Sequence, residues 1–395
     1  MIKIGEINDT HLGLKTEEID RTDEIYSIYK DFAKACKKAK VDCVVIGGDI
    51  FNKNNPSEEL IAVFIMIMNL LSLLGVPVYV VVGNHDAIAN PERLSCLSFI
   101  KKLKKKYPMF HLIEDITCIE ISKTDIGPLY YTFLPHVSRA LLEKKKFEGT
   151  TQEYIDKKAE AIYKRVGKGS QHIVFSHLNV HGVIMGSEEN LLNKSEVFLP
   201  KILTDTPIAS GYVQPEIIQA HIHGRQQIGN VHIIGNPLFC GFGEKIEDKY
   251  FAIVNVPTGF GEKFTIDYIP TNCTKFYEFS CTITGRDKVA FEDIPEIKDF
   301  LAQVAPNSVI KISPTLLADK AGYDWAKTRE KIAKVTKSHV KEIIPRYIKH
   351  KIVRDKEQSA KLTPKKAVHT WLKRNKPPRS KTKFALAKKY IEETL

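Results

Sequence analysis

The sequence predicts an α/β fold, a sheet packed between helices, and three observations predict it. Short Val/Ile-rich runs recur at Val41 to Gly47, Val76 to Val82, His172 to Phe175 and Val231 to Ile234; they are almost continuously apolar, as strands buried on both faces are. Longer stretches of helical character alternate with them, at Asp20 to Lys40, Pro56 to Leu74, Pro91 to Lys106 and Thr151 to Val166. A short polar motif then follows each of several apolar runs directly, at the strand ends where an open α/β sheet gathers its ligands.

Taken in order, Met1-Ile2-Lys3-Ile4 runs straight into an apparent strand, so no signal peptide is expected. The second helix opens with Pro56-Ser57-Glu58-Glu59, a proline and acidic first turn suited to a helix start. Its body is apolar nearly all round (Leu60, Ile61, Val63, Phe64, Ile65, Met66), which predicts burial on more than one side. Asn69 and Ser72 interrupt it, and it is shorter than the ~20 residues of a membrane span, so no membrane association is expected. Near Thr271 the texture changes to a small α+β unit: strand Phe276 to Ile283, helix Ile294 to Val304, strand Ser308 to Ser313, helix Trp325 to Val335. Beyond residue 350 or so comes a Lys-rich link and two short helical patterns. Pro364 to Lys373 follows a Thr363 cap, and Lys383 to Thr394 follows the Pro377-Pro378 break. Neither is expected to be stable alone.

At 395 residues, 43% apolar and 27% charged, the chain reads as a soluble globular protein of two or three domains. Its seven cysteines are scattered without a C-x-x-C pair. They exclude a disulfide framework and a structural zinc site, and point to a reducing compartment, the cytoplasm. Net charge is +12, and residues 341–395 carry all of it, with 17 Lys and Arg against 5 Asp and Glu. Such asymmetry predicts that the tail meets a polyanion or an acidic partner.

The chemistry lies in five motifs. Asp9-x-His11 puts a carboxylate and an imidazole on one side of an extended segment, where one metal could take both. Asp49 follows Gly47-Gly48, which let the backbone turn and the carboxylate project, so that it could bridge two cations. In Gly83-Asn84-His85-Asp86, Asn84 offers a neutral amide oxygen, His85 would face the substrate, and Asp86 could orient the His85 ring. His177 ends an apolar run, and His221-x-His223 could feed one imidazole to each of two metals. A lone Gly-Asp or a lone His carries no signal; five such elements in order predict a two-metal site that activates water against a phosphate ester. His136, His172, His181 and His232 lack such company and are expected to be ordinary surface or loop histidines.

In this order the five motifs resemble the calcineurin-like metallophosphoesterase superfamily. Ile234-Gly235-Asn236-Pro237, Gly241-Phe242-Gly243-Glu244, His177-x-x-Val180-x-Gly182 and the Gly186-Ser187-Glu188-Glu189 stretch narrow the resemblance to SbcD-type nucleases, the nuclease subunits of double-strand-break repair complexes, those of large phages included. The resemblance implies a metallophosphoesterase β-sandwich flanked by helices over residues 1–270. It further implies a DNA-capping domain over 271–350, and over 351–395 a basic helix-loop-helix that docks on an SbcC-type, SMC-like ATPase. It implies one manganese held by Asp9, His11, Asp49 and His223, and a second held by Asp49, Asn84, His177 and His221, with magnesium as the other metal to consider. The two ions are expected ~3.5–4 Å apart. His85 would be the catalytic histidine and Asp86 its orienter; Asn52 departs from the His or Asp often found there, which removes any acid–base role at that position. Homodimerisation is implied through the helices at Pro56 to Leu74 and Pro91 to Lys106. The implied activity is manganese-dependent DNA exonuclease and endonuclease, in repair, recombination and replication, at the nucleoid or in the host cytoplasm if the chain is viral. Two rival readings stay open: a small-substrate phosphomonoesterase or cyclic-nucleotide phosphodiesterase, and a non-catalytic DNA-end tether.

Overall fold

Two six-stranded sheets packed face to face carry the polar motifs, in a computed structural model that describes residues 1–16, 19–183, 197–205, 214–244, 248–283, 289–317 and 323–348. The first sheet runs Thr265–Pro270, Tyr250–Val256, Ile2–Ile7, Cys43–Ile46, Val78–Val81, Phe110–Ile113. Its last four strands are parallel, and the two nearest residue 270 are antiparallel. The second runs Gln226–Ile228, Val231–Ile233, Glu216–Gln219, Gln171–Ser176, Gly127–Leu134, Thr117–Thr124, with a parallel centre and antiparallel edges.

The central strands bury both faces, which is why the sequence shows apolar runs and not alternation. Ile4, Val45, Val81 and Val254 of one sheet meet Phe133, Phe175 and Ile218 of the other, and Phe133 stacks on Phe175 with centroids 5.3 Å apart. On the outer side of the first sheet, Ile7, Val44, Ile46, Val78 and Val80 pack under the helices Thr22–Ala39 and Glu58–Ser72 through Tyr29, Phe32, Phe64 and Ile67. Outside the second, Val174, Ile217 and Ile233 meet Leu141, Tyr154 and Ile155 of the helices Arg139–Lys145 and Thr151–Val166. The latter helix begins with a reciprocal cap between Thr150 and Glu153. The result is a β-sandwich flanked by helices.

A third sheet, Phe276–Ile283, Val309–Leu317 and His339–Ile343 in parallel with Arg346–Ile348 beside the far end of Val309–Leu317, has its own core. Ile297 and Leu301 of the helix Pro295–Gln303 and Ile332 of Trp325–Thr336 pack there on Ile310, Ile312 and Val340. Arg21, 1% exposed, fastens the chain where it crosses into this sheet. Its Nε lies 2.6 Å from Glu24, its Nη1 donates to the Phe239 carbonyl at 3.0 Å, and its guanidinium lies over Phe276. Glu24 in turn accepts from the Thr274 amide at 2.7 Å.

Several expectations need correction. Pro91 to Lys106 is not one helix: it holds a 3₁₀ turn, Cys96–Ser98, and a single helical turn, Phe99–Lys102. Ser95 and Ser98 direct their hydroxyls to Glu114 (2.7 and 3.3 Å), competing with helix continuation, and Ser95 pairs with Ala87 in an isolated bridge. The helix Glu58–Ser72 buries only Phe64, Ile67, Met68 and Leu71 within the chain, leaving Met66 47% and Leu73, its C-cap, 82% exposed. His172 and His232 are buried strand residues bonded to Thr132 (2.7 Å) and Glu216 (2.7 Å), not surface or loop histidines. The Gly186–Glu189 stretch and both C-terminal helical patterns lie outside the described residues. Among the described residues, no helix is long and apolar enough to cross a membrane.

Candidate metal centre

The parallel strands ending at Ile7, Ile46, Val81, Ser176 and Gln219 release Asp9, Asp49, Asn84, His177 and His221 along one edge of the sandwich. Backbone bonds tie these loops together: Asp9 N donates to Gly48 O and His11 N to Asp49 O, both at 3.0 Å. Strain concentrates here. Asp9 (φ 49°), His11 (φ 48°), Asp49 (φ 48°) and His221 (φ 73°) all adopt the left-handed region that non-glycine residues avoid. Glycines make room: a Cβ on Gly83 would collide with the Asp49 carboxylate and backbone nitrogen.

Among the described residues, candidate ligand atoms converge in three overlapping groups, each within 4.8 Å: His11, Asp49 and His85; Asp49, His177 and His221; His11, His223 and Cys240. Asp49 belongs to two of them, the position of a bridging carboxylate. Asn84 Oδ1 joins the second group, 3.0 Å from His177 Nε2. Asp9 joins none of the three; its carboxylate accepts from the His221 amide (3.0 and 3.1 Å) and lies 3.8 Å from His177 Nδ1.

The hydrogen bonds around the imidazoles set which nitrogen is left to bind. A carbonyl only accepts, so His177 Nδ1, 2.8 Å from Gly47 O, must carry a hydrogen, and Nε2 turns toward Asn84 and Asp49 (3.3 Å). His221 Nε2 lies 3.0 Å from Asn179 Oδ1, which leaves Nδ1 for the centre. His223 Nδ1 faces Glu244 Oε1 at 3.4 Å, and its Nε2 points at His11 Nε2 at 3.2 Å. Glu244 also pairs with the buried Lys249 ammonium, which bonds Asn236 Oδ1 at 2.7 Å. Imidazole and carboxylate acceptors facing one another fit a borderline divalent cation between them.

Electrostatics agree with that fit. Burial pushes the Asp9 carboxyl up to about 6 against the opposing pull of His177. Burial also drives His11 and His221 down to about 3, so both are neutral at ordinary pH. Burial alone would raise Asp49, but the charge and hydrogen bond of His177 hold it well below the carboxylate range. His177, opposed by burial, is carried up to about 9 by Asp49. Without metal, a proton on His177 therefore balances Asp49.

His85 lies with its Nδ1 2.9 Å from the Asn52 carbonyl and its amide donating to Asp49 Oδ1 at 2.8 Å. Asp86 is placed differently from its expected role. Its carboxylate accepts from the amides of Ile50 (3.3 Å), Phe51 (3.1 Å) and Gly83 (3.1 Å), bracing two ligand loops, while a main-chain carbonyl orients His85. Burial, then Asp49, raises the Asp86 carboxyl to about 7.

Four contributors were not foreseen from the sequence: Asn179, Glu244 as a support for His223, Cys240, and His136. Burial, then the charge of His177, lowers His136 to about 4. Its signal was present, because Leu134-Pro135-His136 leaves a strand end as the other motifs do.

The profile described as calcineurin-like phosphoesterase matches residues 2–224. Among curated proteins, the chain is 30% identical over 158 residues to the DNA double-strand break repair protein Mre11 of Saccharolobus solfataricus, covering 36% of this chain and 40% of that one. It is 22% identical over 300 residues to SbcD of the nuclease SbcCD from Staphylococcus saprophyticus, covering 75% of each. Among solved structures, a dimetal phosphatase from Danio rerio superposes with a TM-score of 0.46 at 14% identity, over 68% of this chain and 96% of that one. The family profile spans more than half of this chain and contains both ligand groups that share Asp49; the chain therefore belongs to the calcineurin-like phosphoesterase family of metal-dependent hydrolases.

Proposed function

We propose that this protein is a manganese-dependent DNA nuclease, the nuclease subunit of an SbcCD-like repair and recombination complex. The observation that carries this reading is Asp49 standing between His11 on one side and His177 and His221 on the other, in a chain aligned over 75% of its length with an SbcCD nuclease subunit. Asp9, His11, Asp49 and His223 would hold one ion, and Asp49, Asn84, His177 and His221 the other. When bound, the ions supply an activated water and neutralise charge on the scissile phosphate. His85 acts on the leaving group. Its Nδ1–H is committed to Asn52 O, so only the doubly protonated imidazolium carries a second hydrogen, on Nε2, that could pass to the leaving oxygen as the P–O bond breaks. The orienting acceptor is main chain, so Asn52 serves it as well as His or Asp would.

The substrate strand is taken to run from this edge toward the third sheet as a DNA-capping unit. The basic tail is assigned to an SMC-like ATPase. Its apolar residues Val368, Trp371, Leu372, Phe384 and Leu386 favour docking over phosphate contact alone. The face of Glu58–Ser72 left open around Met66 supports a homodimer contact.

End-labelled linear duplex incubated with manganese, magnesium or EDTA tests the reading, with Asp49→Ala as control. Manganese-dependent shortening that the variant loses is expected. Hydrolysis of a small phosphodiester with no DNA cleavage would move the protein to the small-substrate phosphoesterases. Deletion after residue 355 should abolish ATP-stimulated cleavage and spare the basal reaction.

A further inference from the structure

Arg225 stands two residues beyond His223, and its guanidinium lies in the corner formed by two aromatic rings. Its Cζ lies 4.9 Å from the ring centroid of Tyr250 and 4.9 Å from that of Tyr268. The two tyrosines meet edge to face, with centroids 5.9 Å apart, as neighbours on adjacent strands of the first sheet. Rings gathered on one side of the guanidinium leave the N–H donors of its far side open, and Arg225 donates to no carboxylate or carbonyl among the described residues. The side chain is exposed. Most cations at this end of the sandwich are used otherwise: Lys249 is spent on Glu244 and Asn236, and Arg21 on Glu24 and Phe239.

The mounting is rigid. Gly235 (φ 81°) packs so closely that a Cβ there would lie 2.7 Å from His223 O and 3.2 Å from Arg225 N. Lys249, the residue before Tyr250, reaches His223 O at 3.4 Å. Both the arginine backbone and its tyrosine clamp are thus referenced to the main chain of His223. Two residues of chain span at most about 7 Å, so the Arg225 backbone stands within that reach of His223. An exposed Arg held against two rings, with no acceptor among the described residues, is suited to a phosphate, which it can grip with two parallel N–H bonds.

We propose that Arg225, clamped by Tyr250 and Tyr268, binds a backbone phosphate of the nucleic-acid strand flanking the scissile one. This rests on the nuclease reading above, and it adds a strand-positioning contact that no metal ligand supplies. An isolated small phosphodiester has no flanking phosphate, so the contact selects polynucleotide over small substrates.

The test is the salt dependence of oligonucleotide binding by the full chain, measured by fluorescence anisotropy in EDTA so that no cleavage occurs. Losing one phosphate contact lowers the slope of log K against log salt by about 0.9 on duplex or about 0.7 on a single strand. Arg225→Gln should show that drop, with affinity weakened on the order of 10-fold at low salt and an unchanged melting temperature. Arg225→Lys and Tyr250→Leu keep the charge, so each should weaken binding while holding the wild-type slope. A wild-type slope in Arg225→Gln, with wild-type DNA cleavage in manganese intact, overturns the clamp alone. A wild-type chain that hydrolyses a small phosphodiester but neither binds nor cuts DNA overturns the clamp together with the reading beneath it.

Discussion

Glu244→Gln should loosen the metal centre without altering any residue proposed to bind metal. The Glu244 side chain is 5% exposed; it faces His223 Nδ1 at 3.4 Å and pairs with Lys249, itself 7% exposed. Burial alone would raise the Glu244 carboxyl, yet the His223 hydrogen bond and the Lys249 charge bring it down to about 2 from 4.5. A shift of that size corresponds to roughly 3 kcal/mol of stability. Because the folded value is depressed, that stability is present above pH 4.5 or so and is lost as pH falls toward 2. Removing one partner of a buried ion pair costs about 3–5 kcal/mol, and the amide recovers part of this by hydrogen bonding. We therefore expect a melting temperature lower by roughly 5–10 °C at neutral pH. Manganese affinity, followed by calorimetric titration, should fall about 10- to 100-fold as His223 loses the acceptor that fixes its tautomer. Adding Lys249→Met to Glu244→Gln removes the stranded cation, and should restore melting temperature but not manganese affinity. Wild-type manganese affinity in Glu244→Gln would refute the argument that Glu244 holds His223 in its binding form.

Three further outcomes are expected. His85→Ala should retain manganese binding by calorimetry and lose about 10²- to 10⁴-fold in turnover, since only proton transfer is removed; a variant that binds metal and cuts at the wild-type rate would exclude His85 from that step. Manganese binding near pH 7 should release a proton from His177, visible as a dependence of apparent binding enthalpy on buffer ionisation enthalpy, and affinity should climb as pH rises toward 9. The sign reverses for the metal-free protein: a raised histidine contributes stability that is complete below pH 6.5 or so and fades as pH passes through about 9. Gly83→Ala should cost metal affinity before it costs secondary structure, because the new Cβ meets the shared Asp49 carboxylate; equal manganese binding by variant and wild type would contradict that collision.

Much of this protein was legible in sequence, and the reason is local. A buried parallel strand needs an unbroken Val/Ile run, and a ligand at its end needs a Gly, Asp, Asn or His just after it, so Cys43–Ile46 with Asp49 and Val78–Val81 with Asn84 announce themselves within ten residues. Helix Thr151–Val166 likewise declares its start through Thr150 and Glu153. The sequence alone could not divide the strands between two sheets, because both faces of a sandwich strand are apolar whichever sheet it joins. Nor could it foresee that Ser95 and Ser98 would spend their hydroxyls on Glu114 and end a helix early. The acceptor on His85 is Asn52 O, a main-chain atom indifferent to residue type, so no side-chain pattern could point to it. Asp86 is the converse case: its identity was plain, but whether its carboxylate meets a ring or three amides depends on loops more than thirty residues apart in sequence. Arg225 and Glu244 owe their proposed roles to Tyr250, Tyr268 and Lys249, strand or strand-edge residues that belong to no sequence motif until folding brings them together. The sequence by itself determined which side chains stand at the strand ends; the tertiary structure alone decided which of their atoms face one another, because hydrogen-bond partners and burial are set by packing between distant segments.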